Sequence, residues 1–221
     1  MEKTEIFTLK RKRQRVMAVF IKRLLDIILS VVGLVLAAPI MLIVSICIKL
    51  EDKGPAVFMQ TRTGKEGVPF SIYKFRSMKV RQEEVVREEH VYAWENGVPD
   101  GFVFKDMAGE NPNVTRVGAF IRRTSLDELP QLFNVLLGNM SFIGPRPEIP
   151  AITSCYSAKQ KQRLGIKPGI TGWAQVNGRS SVTNGEKMKM DYYYIENYSL
   201  GLDIIILFRT VRVVLTSRGA I

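Results

Sequence analysis

Residues 27–48 read IILSVVGLVLAAPIMLIVSICI, and this uncharged run decides the fold of the chain. At ~1.5 Å per residue, a straight helix over the run is roughly 33 Å long, which is enough for a bilayer core of about 30 Å. The run is longer than the roughly 7–15 apolar residues of a signal peptide, so we expect a retained anchor. The sequence therefore predicts a helix that inserts into a membrane.

Pro39 and the distribution of charge complicate a simple crossing. The proline has no N–H to donate to the carbonyl of Val35, and its ring crowds that carbonyl, so the helix must bend or break. Residues 1–25 hold eight Lys/Arg against two Glu, and residues 49–221 hold 24 Lys/Arg against 18 acidic residues. Because cytosolic flanks tend to be basic, both sides look cytosolic. A re-entrant helix with two arms of about 12 residues explains both features, and a single kinked spanning helix is the alternative.

The remaining composition limits the class of protein. A net charge of +11 favours a partner rich in phosphate, which includes nucleic acid, anionic lipid and nucleotide substrates, and the apolar run puts the membrane first. Cys47 and Cys155 make no disulfide framework and no zinc pattern, as is typical of a reducing cytosolic face. His90 is the only histidine, which argues against Ser–His catalysis and histidine-based metal sites.

We divide the chain into three parts. Residues 1–21 are a basic leader suited to anionic headgroups, where each cation contributes ~1 kcal/mol near the surface. Residues 22–50 form the membrane helix. Residues 51–221 form a cytosolic domain that is long enough to bury a core.

The first pattern in this domain is strand–turn–strand. Apolar and polar residues alternate from Phe70 to Phe75, after a glycine-punctuated loop at residues 61–67, and this favours a small β-hairpin. Lys74 and Arg76 share a face of the second strand and are available to phosphate. A solvated strand face is the plainer interpretation.

The segment 114–138 predicts a helix that begins next to a polar turn. Gly138 is a suitable stop for it. Ser125 and Glu128 fit a capping box at its start, but Pro130 would then lose an interior hydrogen bond. A start at Leu129/Pro130 avoids that loss. The apolar positions at helical spacing are Leu129, Leu132, Phe133, Leu136 and Leu137.

Asp127 and Glu128 stand at the amino terminus of this helix in either register. Arg122 and Arg123 lie a few residues upstream, so the helix dipole and these cations are expected to lower the pKa of both carboxylates and keep them ionised. Ionised carboxylates can ligate Mg²⁺ together with substrate phosphates, and one of them can attack phosphorus. Plain helix capping is the alternative.

An arginine follows on a stiff turn. Pro145 and Pro147 restrict the backbone on both sides of Arg146, which suits a bidentate phosphate contact, although a rigid corner whose arginine faces water fits equally. Four glycines within residues 165–178 permit close approach of the backbone to a ligand, and Trp173 either stacks on a base or packs in the core. No Walker or Rossmann pattern occurs.

The segment 200–215 is too interrupted by charges to span a membrane. Its arginines and broad apolar face predict a helix that lies in the membrane interface, with core packing as the alternative.

Several of these motifs occur together in one known family. In chain order they are the apolar run with Pro39, YKFRSM at residues 73–78, TSLDELPQ at 124–131, GPRP at 144–147 and KPGITG at 167–172. From about Lys22 onward, the chain resembles the bacterial sugar transferases, specifically the small monotopic polyprenyl-phosphate phosphoglycosyl transferases. One departure is Ala38, which stands before Pro39 where many members carry serine.

The resemblance implies an α-rich α+β fold: a re-entrant membrane helix and a compact cytosolic catalytic domain with a small β-hairpin and interfacial amphipathic helices. It also implies the reaction, which is transfer of sugar-1-phosphate from a UDP-sugar to undecaprenyl phosphate, with Mg²⁺ and release of UMP. This reaction is the first membrane step of glycoconjugate assembly at the cytosolic face of the bacterial inner membrane.

The resemblance assigns roles to five residues. Asp127 matches the family nucleophile, which forms a covalent phosphosugar intermediate, and Glu128 matches its partner in metal binding. Arg122, Arg146 and Arg179 match the phosphate-binding arginines. Lipid and nucleotide phosphates then explain the positive charge, so we expect anionic lipids and no nucleic acid as partners, and a homo-oligomer is compatible with the sequence.

Two other functions fit the same residues. A membrane-bound glycosyl transferase that moves only the sugar would release UDP in place of UMP. A non-catalytic membrane scaffold would recruit later enzymes through its basic surface, and Asp127→Asn would then leave pathway function intact.

Overall fold

A computed structural model of the chain describes residues 2–80, 92–103, 112–178 and 182–215, with side chains for residues 17–213 within these ranges. It is rich in helix and has two small β-sheets, in agreement with the expected α-rich α+β class. Arg179 lies outside the described residues. The helices and strands are α1 (Glu2–Glu51), β1 (Val57–Thr63), β2 (Pro69–Phe75), α2 (Arg116–Arg123), α3 (Gln131–Leu137), β3 (Ser141–Ile143), α4 (Pro150–Thr153), α5 (Ala158–Lys161), β4 (Gly169–Thr171), α6 (Trp173–Asn177), α7 (Asn184–Glu196) and α8 (Leu200–Leu215).

Helix α1 contains the whole apolar run and continues through Pro39. The helix is therefore not broken at the proline, and a bend there stays a prediction. Ser30 and Ser45 donate their hydroxyls to helix carbonyls one turn earlier, so these polar groups are satisfied inside the apolar stretch. The part from Met17 to Glu51 is long and apolar enough to cross a membrane.

One face of α1 packs against the rest of the protein along the apolar run. Asp26, Ser30, Ala37, Val44 and Ile48 are buried on this face, at the spacing of a helical stripe. The other faces expose large apolar side chains, which suits contact with lipid. The exposed residues are Val19, Phe20, Ile21, Leu24, Leu25, Ile28, Leu29, Val31, Val32, Val35, Leu36, Ile40, Leu42, Ile43, Ile46 and Leu50.

Polar contacts attach both ends of this face to the same domain. Near the start, Arg23 donates to the last-turn carbonyls of α3 at 2.7 and 2.9 Å, and Lys22 Nζ lies 2.6 Å from Asp203 Oδ2 on α8. At the end, the Glu51 carboxylate accepts the first two backbone N–H groups of α2 at 2.7 and 2.8 Å. The globular domain therefore lies alongside α1 from Lys22 to Glu51.

Strands β1 and β2 form the predicted antiparallel hairpin, with Val57 opposite Phe75 and Thr63 opposite Pro69. Its inner face is buried against α1, α2 and α3. Phe75 packs with Val44 and Ile48 of α1 and with Ile121 of α2.

Strands β3 and β4 form a second, parallel sheet that the sequence pattern did not reveal. A Cβ on Gly169 would lie 2.1 Å from Gly144 N, and a Cβ on Gly172 would lie 2.2 Å from Gly144 O. These glycines allow one backbone to approach another, which gives Gly169 and Gly172 a structural role, and close approach to a ligand stays a prediction.

Helix α8 uses two faces. Leu202 and Ile206 are buried with Ile143 and Tyr194, which confirms core packing for one face. The other face exposes Ile204, Ile205, Leu207, Phe208 and Val211. Contact of this second face with the membrane interface stays a prediction.

Candidate active site

Asp127 and Glu128 lie in a short 3₁₀ turn, Leu126–Glu128, between α2 and α3. Ser125 precedes the turn in the left-handed conformation at φ 57° and makes no side-chain capping bond, so the capping-box interpretation is wrong. Pro130 is the N-cap of α3. The structure thus agrees with the alternative in which the helix begins at Leu129/Pro130, where a proline costs no hydrogen bond.

Two leucines hold this turn in place. Leu126 and Leu129 flank the carboxylates and pack against the core cluster that contains Val44, Ile48 and Ile121. Because these apolar side chains occupy the core, Asp127 and Glu128 are left at a groove of about 1550 Å³ whose lining includes both of them. The same groove is lined by Lys74, Arg76, Arg122 and Arg146.

Glu128 is held between two cations. Its Oε1 atom accepts from Lys74 Nζ at 3.1 Å and from Arg146 Nη2 at 2.9 Å. Burial alone would raise the pKa of Glu128, but the charges of Arg146 and Lys74 more than offset it and lower the pKa to about 2. Glu128 is therefore a carboxylate across the physiological pH range, as expected.

Asp127 has the opposite environment. Its carboxylate makes no hydrogen bond or ion pair with the described residues. Burial and the neighbouring charge of Glu128 raise its pKa, and Lys74, Arg146 and Arg122 oppose this only in part. The expectation of a lowered pKa is therefore wrong for Asp127, because the cations contact Glu128 directly and Asp127 only through space.

The position of Lys74 depends on contacts between β2 and α3. Asn134 is fully buried, and its side chain accepts from Tyr73 N at 2.9 Å and donates to Ser71 O at 2.7 Å. This pair of bonds links the strand that carries Lys74 to the helix that follows Glu128. The sequence pattern gave no indication of this role for Asn134.

The Arg146 turn is fixed by its backbone. The carbonyls of Pro145, Arg146 and Pro147 accept from Gly169 N at 2.9 Å, Arg163 Nη2 at 2.6 Å and Arg62 Nη1 at 3.1 Å. The stiff turn expected from the two prolines is present, and the Arg146 side chain reaches Glu128. Its Nε and Nη1 atoms take no partner among the described residues and its side chain is 45% exposed, so these donors face the groove.

Arg163 was missed by the sequence analysis. It is 3% exposed, and besides the Arg146 carbonyl it contacts Asp191 Oδ2 through Nε and Tyr156 OH through Nη1. A buried arginine with an ion-pair partner and a fixed backbone target holds that target in one place. Its signal in the sequence is only a basic residue in a short helical segment, so no pattern could have singled it out.

The other predicted cations differ in their surroundings. Arg122 donates from Nε to Ser77 Oγ at 2.8 Å and leaves its terminal nitrogens without partners among the described residues. Arg76 is 8% exposed and binds the Asp52 carboxylate at 3.1 Å as well as the carbonyls of Asp52 and Lys53. These contacts favour a structural role for Arg76 at the end of α1, and phosphate binding by it stays a prediction.

Magnesium was expected at Asp127 and Glu128. No group of three or more acidic, histidine or cysteine side chains that could hold a metal occurs in the described part of the chain. Mg²⁺ is commonly held by one or two carboxylates plus substrate phosphates, so two adjacent carboxylates beside an open groove fit such an ion. Oε2 of Glu128 takes no partner from the described residues.

These features bring two carboxylates and several cations together in one groove of a domain whose long apolar helix could cross a membrane. Comparison with known proteins assigns the chain to a family. The profile of the bacterial sugar transferase family matches residues 17–217, so the chain belongs to that family.

Three relatives illustrate the match. The UDP-N-acetylgalactosamine-undecaprenyl-phosphate N-acetylgalactosaminephosphotransferase of Aeromonas hydrophila is 43% identical over 207 residues, which cover 91% of this chain and 45% of the relative. The undecaprenyl-phosphate galactose phosphotransferase of Salmonella typhimurium is 42% identical over 202 residues, which cover 91% of this chain and 42% of the relative. The chain thus spans less than half the length of these two. The uncharacterized sugar transferase EpsL of Bacillus subtilis is 38% identical over 199 residues, which cover 90% of this chain and 89% of the relative.

Proposed function

We propose that this protein transfers sugar-1-phosphate from a UDP-sugar to undecaprenyl phosphate and releases UMP. The observation that carries the proposal is the pair of unlike carboxylates in one groove. Glu128 is held by Lys74 and Arg146, and Asp127 beside them has no hydrogen-bond partner among the described residues. The name of the Aeromonas relative supports a UDP-sugar donor and an undecaprenyl-phosphate acceptor, and the name of the Salmonella relative supports the same acceptor. The reaction would be the first membrane step of glycoconjugate assembly.

In the first step, an oxygen of Asp127 attacks the phosphorus that carries the sugar. The bond from this phosphorus to the oxygen that bridges the two phosphates breaks, and UMP leaves with that electron pair. A carboxylate with a raised pKa is more basic and so a better nucleophile once it is ionised. The nitrogens of Arg146 and Arg122 that take no partner among the described residues would bind the diphosphate oxygens and offset their charge.

In the second step, a phosphate oxygen of the lipid attacks the same phosphorus. The bond between this phosphorus and the Asp127 oxygen breaks, which regenerates the carboxylate and yields the sugar on a lipid diphosphate. Both substrates are polyanions, so direct attack of one phosphate on the other is electrostatically unfavourable. An aspartyl intermediate lets UMP leave before the second anion arrives.

Mg²⁺ held by Asp127, Glu128 and the donor phosphates would supply neutralisation of the developing negative charge on the diphosphate. The protein's own residues orient the reacting groups. Lys74 and Arg146 fix Glu128, and the two leucines beside the carboxylates keep the turn on the core.

The same proposal includes a monotopic arrangement, with α1 re-entrant from the cytosolic face. Arg23 and Glu51 are separated by about 42 Å along a helix at ~1.5 Å per residue, yet both contact the same domain. A helix that crossed a core of about 30 Å would carry one of these ends away from a cytosolic domain. Contact along the whole helix supports an arrangement in which both ends remain on one side.

Nucleotide release from a panel of UDP-sugars tests the function. Full-length protein in nanodiscs with Mg²⁺ should release about one equivalent of UMP per protein without undecaprenyl phosphate and turn over many times with it. The Asp127→Asn variant should lose both the UMP burst and the multiple turnover, with the turnover rate reduced by a factor on the order of 10³ or more. UDP as the product would point to a glycosyl transferase. If cells that carry Asp127→Asn kept wild-type pathway function, the non-catalytic scaffold would be the remaining explanation.

A further inference from the structure

Arg209 lies outside the carboxylate cluster but lines the same groove. It belongs to α8, and its residue is exposed at the surface.

The guanidinium of Arg209 is held in a fixed orientation. Its Cζ atom lies 4.8 Å from the centre of the Trp173 ring, and Nη1 donates to Asn177 Oδ1. Trp173 is stacked in turn on Tyr193, with ring centres 5.2 Å apart. A planar cation that rests on an aromatic face and keeps donors free is suited to phosphate. The Nε and Nη2 atoms of Arg209 take no partner from the described residues.

Arg209 lies next to apolar side chains, an arrangement that suits a lipid whose phosphate is attached to a hydrocarbon chain. Leu207 and Val213 of α8 line the groove beside it, together with Val176 and Ile170. Phe208 and Val211 are exposed on the same helix. A phosphate bound at Arg209 would therefore have apolar side chains next to it for a hydrocarbon tail, which a soluble nucleotide does not need.

Arg209 is also connected to the turn that carries Arg146. Its neighbour Thr210 shares a hydrogen bond of 2.8 Å with Thr171, and the Thr171 carbonyl accepts from Gly144 N at 2.9 Å. Gly144 lies two residues before Arg146. This short path through α8, β4 and β3 joins the rim of the groove at Arg209 to the cation beside Glu128.

We propose that Arg209, seated on Trp173 and bonded to Asn177, forms a subsite for the phosphate of the polyprenyl acceptor. This inference rests on the proposed function and deepens it. Donor chemistry takes place at Asp127, and Arg209 acts only when the lipid phosphate is received.

The test separates the two half-reactions in full-length protein. Arg209→Ala in neutral phosphatidylcholine nanodiscs should raise the KM for undecaprenyl phosphate about tenfold, because a charge-assisted contact is lost. The UMP burst measured without acceptor, and the KM for the donor, should keep their wild-type values. Arg209→Lys should give a smaller rise, since the charge remains but the planar stacking is lost. Lys189→Ala on α7, an exposed cation away from the groove, is the matched control and should match wild type.

Three results would overturn the subsite. The first is a wild-type KM for acceptor in Arg209→Ala, and the second is an equal loss of the donor burst. The third is a rise in KM that appears only when phosphatidylglycerol is added to the nanodiscs, because this would assign Arg209 to general attraction for anionic headgroups. Absence of the burst in wild type would instead overturn the proposed function itself, so the two failures are distinguishable.

Discussion

At the scale of single residues, Asp127 and Glu128 are neighbours in the chain but differ in charge environment. Glu128 receives two direct hydrogen bonds from cations, and its pKa falls to about 2. Asp127 receives none from the described residues, and burial together with the Glu128 charge raises its pKa. Environments that shift the pKa values of two neighbouring carboxylates in opposite directions suit them to different chemical roles. We infer that Glu128 is the permanent anion and Asp127 the nucleophile.

The pH dependence of the donor step follows from the raised pKa of Asp127. The nucleophile must be ionised, so kcat/KM for UMP release should fall as the pH drops through this pKa, above the ordinary 3.8 of an aspartate. Lys74 lowers the pKa of Asp127, and Lys74→Gln should therefore move the loss of activity to higher pH. Lys79→Gln, at an exposed position, is the control. A shift toward lower pH in Lys74→Gln would contradict the assignment.

At the scale of elements, the site is assembled from short pieces held by contacts with distant parts of the chain. The 3₁₀ turn with both carboxylates rests on two leucines, and the Arg146 turn depends on β3 and β4 beside it. Neither piece is long enough to be stable alone. Packing of the neighbouring backbones therefore determines the geometry of the site.

Gly169→Ala tests the close approach of β3 and β4. The new Cβ would lie 2.1 Å from Gly144 N, so the two strands must separate, and we expect a loss of stability of about 1–3 kcal/mol or more together with a loss of activity. Thermal unfolding in detergent measures the change. Gly165→Ala is the matched control, because nothing lies within 4 Å of its Cβ position. Equal stability of the two variants would show that the strands are not packed in this way.

Arg163 should act on the reaction through Arg146. Arg163→Lys keeps the charge but cannot contact Asp191, Tyr156 and the Arg146 carbonyl together, and we expect turnover to fall about tenfold. In an Arg146→Ala background, Arg163→Lys should lower turnover little further, because the effects of substitutions at contacting residues are not additive. A purely structural role would give the same loss in both backgrounds. Turnover and thermal unfolding of the four proteins distinguish the outcomes.

At the scale of the whole molecule, α1 combines a stretch that is long and apolar enough to cross a membrane with a face that belongs to the core. Its buried face carries Val44 and Ile48 into the same cluster as the catalytic turn's leucines. Within residues 17–50 of this helix, the exposed side chains are almost entirely apolar. In a bilayer, the depth of the helix would thereby be linked to the position of Asp127, which suits the proposed acceptor because its phosphate lies at the headgroups.

Cysteine labelling tests the monotopic arrangement. In a Cys47→Ser/Cys155→Ser background, single cysteines from Met17→Cys and Lys53→Cys should both react with an impermeant maleimide in inverted inner-membrane vesicles, and neither should react in intact spheroplasts. Lys161→Cys on the domain surface reports the cytosolic side. Reaction of Met17→Cys in spheroplasts alone would establish a spanning helix.

The features that the sequence by itself determined are those that depend on neighbours in the chain. The length of the apolar run predicted α1, alternation predicted the β1–β2 hairpin, and the two prolines predicted a stiff turn at Arg146. Pro130 and Gly138 marked the two ends of α3. Backbone geometry acts locally, so these conclusions required no knowledge of the fold.

The features that only the tertiary structure decided depend on residues far apart in sequence. Lys74 and Glu128 are 54 residues apart, and their contact helps to lower the pKa of Glu128 while that of Asp127 is raised. The contact of Arg76 with Asp52 joins residues 24 positions apart, and no sequence pattern marked Arg163. Burial and Coulomb interactions depend on which side chains meet in space. For that reason the sequence could name the carboxylates of this site, but only the folded chain could distinguish their roles.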